Sequence, residues 1–463
     1  MIYQRYNAHK IFFSFNDSSC DSGKTLYLQN YVTKINQSKL KSNYFKKDIL
    51  VSYYVDNINY WKPFMAILTK QGFLWDNFNL NKDHNFFLGT INANSLHRMK
   101  KEIGINKYQH FFFFKELKGY FDKFILYNGV ENMKTKFGNE FSFIAETLLY
   151  PKNKAIIKKK FKNYYFSVHN LWLFKPIGKH GGAGIKIFCN LKNIKSKSYL
   201  LQKYFTDIHL IKNKKYDIRL YVLISGLKPL RIYLYKEGLV RIAARKYTLK
   251  NRSLTNKFIH LTNTGINKYH KDYVYPKTYN DPNANIWNLN TYYKYLKKNK
   301  IQKKTIFDEI GDIIIKSIIS LYDNLIACID ENNLNNINFF NIFGFDILIT
   351  DHLKPKLIEI NADPSLRLYD NVDKIIKTNL FVDTLNIIGI TPFSHKKVIE
   401  EKDEGKILTL NEVINNAFCE LSRPRGNYKL IFPKKKNINR YQKFFIKNNQ
   451  ENNIFWNKIL ENE

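Results

Sequence analysis

Residues Phe343–Leu366 read FGFDILITDHLKPKLIEINADPSL, and the alternation inside that stretch decides how the rest of the chain is read. Successive side chains of a strand point to opposite faces. In KLIEIN, Glu359 and Asn361 therefore share one face while Ile358 and Ile360 take the other. Asp346 is placed in the same way in the preceding strand, with Phe345, Ile347 and Ile349 turned from it. A two-strand ribbon with three oxygen donors on one side suits Mg2+, which takes carboxylate and carbonyl oxygens and shares its other positions with water and phosphate. An ordinary hairpin with one wet, polar face has the same pattern, so segments upstream must separate the two readings.

Three of those segments carry candidate chemistry. LFKPIGKHGGAGIKIF sets Gly181, Gly182 and Gly184 between two apolar pieces, a loop whose N–H groups can close over phosphates with Lys175 beside it; a glycine-rich hairpin without ligands reads the same. The spacing fits neither a P-loop nor a dinucleotide fingerprint. In KYDIR, alternation puts Lys215, Asp217 and Arg219 on one face and Tyr216 and Ile218 on the other, either to hold a triphosphate and its metal or as an ion-pair ladder. In LVRIAARKY, Arg241 shares a face with Ala243 and Arg245, where a guanidinium can clamp a carboxylate or an acyl phosphate, while Lys246 falls opposite unless a bulge or the strand's end intervenes.

Working outward, KYDIRLYVLIS, LRIYLY and LVRIAARKY read as strands, and KEG between the last two reads as a hairpin turn at Gly238. KTIFDEIGDIIIKSIISLYDNLIACI carries apolar residues at helical spacing, and the Asn-, Tyr- and Lys-rich run from Tyr269 to Lys304 reads as a surface excursion. Strands mixed with helices, and antiparallel pairs among them, predict a mixed α/β or α+β fold. Residues 1–45 are expected as a polar extension, 46–100 as a small N-terminal α/β domain, 101–197 and 198–395 as two further subdomains, and 396–463 as a basic tail.

At 463 residues, 44% hydrophobic and 16% aromatic, the chain is long and apolar enough for a substantial core, which excludes a wholly disordered protein. Lys and Arg outnumber Asp and Glu by 75 to 39, a net +36 that draws polyanions, although part of it is a solvated Lys- and Asn-rich surface. The four cysteines show no zinc or disulfide spacing. Ile310–Tyr322, the greasiest run, is cut by Asp312 and Lys316, so a soluble protein of a reducing compartment without a membrane span is expected. No nucleic-acid recognition motif accompanies the charge.

KP followed by GAGI, then QKYF, KYDIRLYVL, PLRIYLYKEGLVR, HLTN, GFDILI and LIEINADPSL resemble, in order and wording, the tubulin tyrosine ligase-like family, ATP-grasp enzymes that attach amino acids to tubulin. The likeness spans residues 105 to 395 and returns in RGNYKLIFP. It implies an ATP-grasp-like fold with ATP and Mg2+ as cofactors. It implies ATP contacts at Lys175, Gly181, Gly182, Gln202, Lys203, Tyr204, Phe205, Lys215, Tyr216, Asp217, Thr262 and Asn263. It also implies metal ligands at Asp346, Glu359 and Asn361, catalytic roles for Arg241 and Arg219, and amino-acid binding by Arg241 and Lys246. PLRIYLYKEGLVR and LKPKLIEINADPSL look most like the glutamylases, which implies glutamate as co-substrate, acidic tubulin tails as acceptor, and a cytoplasmic, cytoskeletal location with cilium or basal body as a further expectation. A degenerate member that only binds microtubules, or a ligase for another amino acid such as glycine, are the rival expectations. Two positions depart from the pattern: ungapped counting puts Tyr120 where a nucleotide-binding lysine is expected, with Lys118 or Lys123 as replacement, and Ile286 where glutamylases keep a lysine.

Overall fold

The computed structural model describes residues 13–16, 25–28, 52–55, 58–70, 74–75, 84, 86–102, 105, 109–112, 115–161, 167, 170–177, 182–188, 198–332, 337–390, 408–447 and 449–461. Its strands, in chain order, are β1 (Phe13–Asn16), β2 (Thr25–Leu28), β3 (Ser52–Val55), β4 (Leu74–Trp75), β5 (Phe86–Leu88), β6 (His110–Phe112), β7 (Thr147–Tyr150) and β8 (Trp172–Pro176). There follow β9 (Lys186–Phe188), β10 (Tyr199–Lys203), β11 (Tyr216–Leu227), β12 (Leu230–Ile242), β13 (Ile286–Asn288), β14 (Asn338–Ile349), β15 (Pro355–Asn361) and β16 (Tyr428–Phe432). Apart from the β1–β2 hairpin they form two sheets.

The larger sheet has ten strands in the order β13-β12-β11-β14-β6-β5-β3-β4, with β15 added to β14 and β16 to β12. One edge of β14 pairs antiparallel with β11; the other is divided between β6, parallel over Asn338–Phe340, and β15, antiparallel over Gly344–Ile349. The N-terminal strands therefore extend the same sheet that carries the acidic ribbon. In β11, residues of both parities are buried, Ile218, Leu220 and Val222 as well as Tyr221 and Leu223, which means that both faces are covered and explains the near-continuous apolar run. The helix Asn371–Ile388 packs on β11, β12 and β13, and the helix Lys303–Glu331 on β15 and β16.

The smaller sheet runs β7-β10-β8-β9, antiparallel throughout, over a separate core of Leu148, Ile157, Trp172, Tyr199 and Leu201. Just before β7, Ile144 bridges Leu357 of β15, and Phe143 O accepts a hydrogen bond from Leu357 N. The small sheet thus springs directly from the ribbon that carries Glu359.

Local expectations change in detail. KEG is not a turn: β12 runs unbroken through it, and the reversal between β11 and β12 lies at Leu227–Leu230. Gly238 is needed for close packing instead, since a Cβ there would stand 2.6 Å from Arg219 O, and the register slips beside it, between Leu220 and Val222. The run expected as a surface excursion is partly built in: β13 pairs with β12, and Leu289–Lys298 is a helix capped by Asn288. Where the sequence reads as a basic tail, described residues 408–461 form the helices Leu410–Glu420, Lys435–Gln442 and Gln450–Glu461 together with β16. Glu420 ties the first of these to the large sheet, accepting hydrogen bonds from Arg231, Ser225 and Tyr233. Among the described residues no helix is long and apolar enough to cross a membrane.

Candidate active site

Register builds the acidic ribbon as alternation predicts. Asp346 stands opposite Glu359 and Gly344 opposite Asn361, so the three polar side chains meet on one face. The Asn361 amide Nδ2 lies 3.4 Å from Asp346 Oδ2 and 3.2 Å from Glu359 Oε1. Gly344 leaves room beside them, where a Cβ would press on Pro364 and the Arg219 side chain.

Neighbouring strands supply the countercharges at matching register. Arg219 of β11 pairs with Asp346 across the sheet, its Nη2 3.0 Å from Oδ2. Asp217, two residues earlier on the same face, stands opposite Arg241 of β12 and accepts from its Nε and Nη2, both at 2.7 Å. Arg241 Nη2 also reaches Asp346 Oδ2 at 2.9 Å, which fuses the two pairs into one network. Thr262 Oγ1 donates to Asp217 Oδ2 at 2.6 Å. Desolvating isolated charges this deeply costs several kcal/mol each, so the network persists because each charge has a partner.

Lys123 completes the ribbon side. It opens the helix Lys123–Phe137, capped by Asp122, and its Nζ lies 2.8 Å from Glu359 Oε2. Burial works against its charge, yet Glu359 prevails and holds the ammonium above its ordinary range. Burial would likewise raise Glu359, but Lys123, Lys175 and Arg219 keep that carboxyl well below the usual range. Asp346 is pushed up by burial against Arg219 and Arg241, with Glu359 adding to the rise.

Across from the ribbon, the small sheet presents Lys175 from β8, hydrogen-bonded to Gln202 Oε1 of β10; Gln202 in turn donates to Thr147 Oγ1 at 3.1 Å. Burial, reinforced by Lys123, lowers Lys175 to about 8. Lys215 is lowered to about 7 by burial, with Asp217 resisting; its Nζ donates to Tyr204 OH at 3.1 Å and lies 4.4 Å from that ring's centre. Tyr204 OH bonds His260 Nδ1 at 3.1 Å. The glycine turn leans on HLTN: Gly182 takes φ +86°, and a Cβ there would lie 2.7 Å from Ile266 and 3.0 Å from the Asn263 amide.

The structure thus gathers Lys175, Gln202, Tyr204, Lys215, Asp217, Arg219, Arg241, Thr262, Asn263, Asp346, Glu359 and Asn361. It does not bring in the side chains of four others. Lys203 turns to Asn170 at 2.6 Å, Tyr216 hydrogen-bonds His209 and Tyr292, Phe205 is half-buried, and Lys246 is exposed beyond the end of β12. Gly181 lies outside the described residues. Of the two candidates for the missing lysine, Lys123 meets Glu359, whereas Lys118 reaches only the exposed Asp363 at 3.9 Å; Tyr120, at the counted position, turns to Cys328. Thr147, which belongs to no motif, and His260, the first residue of HLTN, also join the network. Ile286 is the register partner of Arg241 and is buried.

The tubulin-tyrosine ligase family pattern matches residues 98–398, which hold every strand from β6 to β15 and the whole charge network. The chain belongs to that family. The fold is accordingly ATP-grasp-like, a mixed α+β fold with two sheets facing one cleft, and ATP use is general to this family of ligases. The family domain is 32% identical over 266 residues to the tubulin monoglutamylase TTLL4 of Mus musculus, covering 57% of this chain and 22% of that protein. It is 31% identical over 288 residues to the tubulin polyglutamylase ttll-5 of Caenorhabditis elegans, covering 59% and 39%. It is 34% identical over 268 residues to the probable tubulin polyglutamylase TTLL2 of Homo sapiens, covering 56% and 43%. The chain therefore spans about a fifth to under half of the length of these relatives.

Among the described residues no group of three or more His, Cys, Asp or Glu side chains could hold a metal ion. The donor set at the ribbon is two carboxylates and one amide, hard oxygens that fit Mg2+, an ion that takes one or two carboxylates and leaves its other positions to water and phosphate. As placed, Asn361 turns its N–H toward both acids; rotation of the amide would present Oδ1 instead.

Proposed function

We propose that the chain is an ATP- and Mg2+-dependent ligase that joins glutamate to glutamate side chains in the acidic C-terminal tails of tubulin. The observation that carries this reading is the placement of Asp346, Glu359 and Asn361 on one face of β14–β15, flanked by Arg219 and Arg241 and faced by Lys175 from the small sheet. The names of the relatives support the substrate class.

In this reading Lys175, Lys123 and Lys215 hold the triphosphate, and the turn at Gly182–Gly184 covers it with backbone N–H groups. Asp346, Glu359 and Asn361 would hold Mg2+, which would supply charge to screen the repulsion between phosphate and carboxylate. A glutamate γ-carboxylate oxygen attacks the terminal phosphorus, ADP leaves, and an acyl phosphate remains. The amino group of the second glutamate then attacks the acyl carbon, phosphate departs, and an isopeptide bond forms with loss of a proton. Arg241 and Arg219, fixed by Asp217 and Asp346, hold carboxylate and acyl phosphate without reorganising. A tubulin substrate would place the protein at the cytoskeleton, in cytoplasm, cilium or basal body.

A second reading has its own observation. Ile286 sets a buried apolar side chain opposite Arg241, which favours a donor smaller than glutamate, such as glycine. Incubation with ATP, Mg2+, microtubules and each labelled amino acid, followed by mass spectra of the tails, tests both: added glutamate masses are expected, added glycine masses select the second reading, and unmodified tails beside an active family member reject the ligase.

A further inference from the structure

A second concentration of positive charge lies where β16 pairs with the edge of β12, and most of it comes from residues beyond the family-matched 98–398. A cavity of about 460 Å3 opens there, lined by Lys236, Arg425, Lys429 and Lys434 with Tyr428 and Leu430. Its wall is firmly built. Lys429 is held opposite Leu234 and Tyr428 opposite Tyr235. Gly426, at φ +49°, packs so closely on Asp383 that a Cβ would stand 1.9 Å from its Oδ1. Asp383 is fully buried and accepts from Tyr235 OH at 3.1 Å and Asn427 N at 2.9 Å, so that carboxylate is committed to the wall.

No carboxylate among the described residues forms an ion pair with any of the four cations. Glu237, next to Lys236 in sequence, turns to Tyr279 and the backbone of Leu289. Arg425 donates to Leu421 O, which leaves its remaining N–H groups for the cavity. By contrast the buried Lys316 is paired with both Glu140 and Asp312. Four unpaired cations converging on one concave site call for an anion.

We propose that this cavity is a binding site for a compact, multiply charged phosphate compound, gripped by Lys236, Arg425, Lys429 and Lys434. The shape of the site selects the class. An extended acidic peptide turns successive side chains to opposite faces, so it would lower one or two carboxylates into so small a volume, whereas clustered phosphates meet all four cations together. Single-stranded nucleic acid would stack its bases on an exposed aromatic surface, and Tyr428 is buried with its hydroxyl 2.9 Å from Thr384 Oγ1; a duplex spreads its phosphates along an extended face and not within one small cavity. Lys434 is held at about 8 by burial and then by Lys429, Lys436 and Arg425, with Asp308 resisting least; bound phosphate relieves that repulsion. The site is independent of the ligase reading, and the phosphate can belong to a soluble compound or to a lipid headgroup.

The test is calorimetric titration of the full chain with inositol hexakisphosphate at physiological ionic strength and without ATP, whose own phosphates would compete, the cavity variants assigning the site. The expected result is one site whose affinity falls about tenfold or more in Lys429→Ala/Lys434→Ala while ATP affinity stays unchanged. The single Lys236→Ala, on an exposed side chain, is expected to weaken it several-fold and serves if the double variant does not fold. Vesicles carrying phosphatidylinositol bisphosphate, compared with the soluble probe, assign the source. Absence of binding, equal binding by wild type and both variants, or preference for a glutamate-rich peptide over the hexakisphosphate would each overturn the proposal.

Discussion

On the large sheet the aspartates of the cleft face arginines, Asp346 and Asp217 against Arg219 and Arg241, and Glu359 faces Lys123 from the helix beside it. Around the lysines, Lys175 of the small sheet meets the amide oxygen of Gln202, and Lys215, just before β11, meets the hydroxyl and ring of Tyr204, with no carboxylate in contact among the described residues. The difference is chemical. The first side is neutralised within the fold, which fixes the donor geometry before anything binds. The second keeps cations that no carboxylate touches and that burial lowers, and they gain most when an anion arrives. A triphosphate set between the two would meet rigid acids through its metal on one side and eager lysines on the other.

Three experiments break or sharpen that contrast. The largest effect is expected from Glu359→Gln, which leaves Lys123 without its partner and removes a proposed metal ligand: amino-acid transfer falls to background while microtubule co-sedimentation is retained. Full activity in this variant would remove the ribbon from the chemistry. Next, Lys123→Ala is expected to cut transfer by about a hundredfold, whereas Lys118→Ala changes it little, because one lysine touches Glu359 and the other is an exposed, loosely paired side chain. Equal losses would mean that the helix start is misread.

The smallest effect is the most diagnostic of the lysine side. Lys175 and Lys215 titrate near 8 and 7 in the free protein, and phosphate favours their charged forms. Nucleotide binding therefore takes up protons around pH 8, and affinity is highest below 7 and falls as pH rises, by up to about tenfold per pH unit for each lysine. Calorimetry in two buffers of different ionisation enthalpy reads the uptake. Zero uptake would show that both lysines stay charged when the site is free.

Strict alternation made the network legible. The parity of Glu359 with Asn361, and of Lys215, Asp217 and Arg219, is a local property of the strand, and register then did the rest. What escaped depends on contacts distant in sequence. Gly238 looked like a turn residue, but its glycine answers the carbonyl of Arg219 on the next strand. Lys123 was displaced by ungapped counting, and a helix start offers no alternation to correct the count. YKLIF looked like an interruption in a charged tail; its apolar side chains make sense only against the edge of β12, nearly two hundred residues away in sequence. Lys203 and Tyr216 sit in the right motifs with their side chains on the far face, which a motif match does not reveal.

The single bridge between Ile144 and Leu357 couples two things usually treated apart. Because the small sheet begins three residues after that bridge and Glu359 follows two residues after it, a shift of the small sheet would pull on the acid-bearing strand at its root. The spacing between the sheets and the aim of the carboxylate would then be one mechanical coordinate.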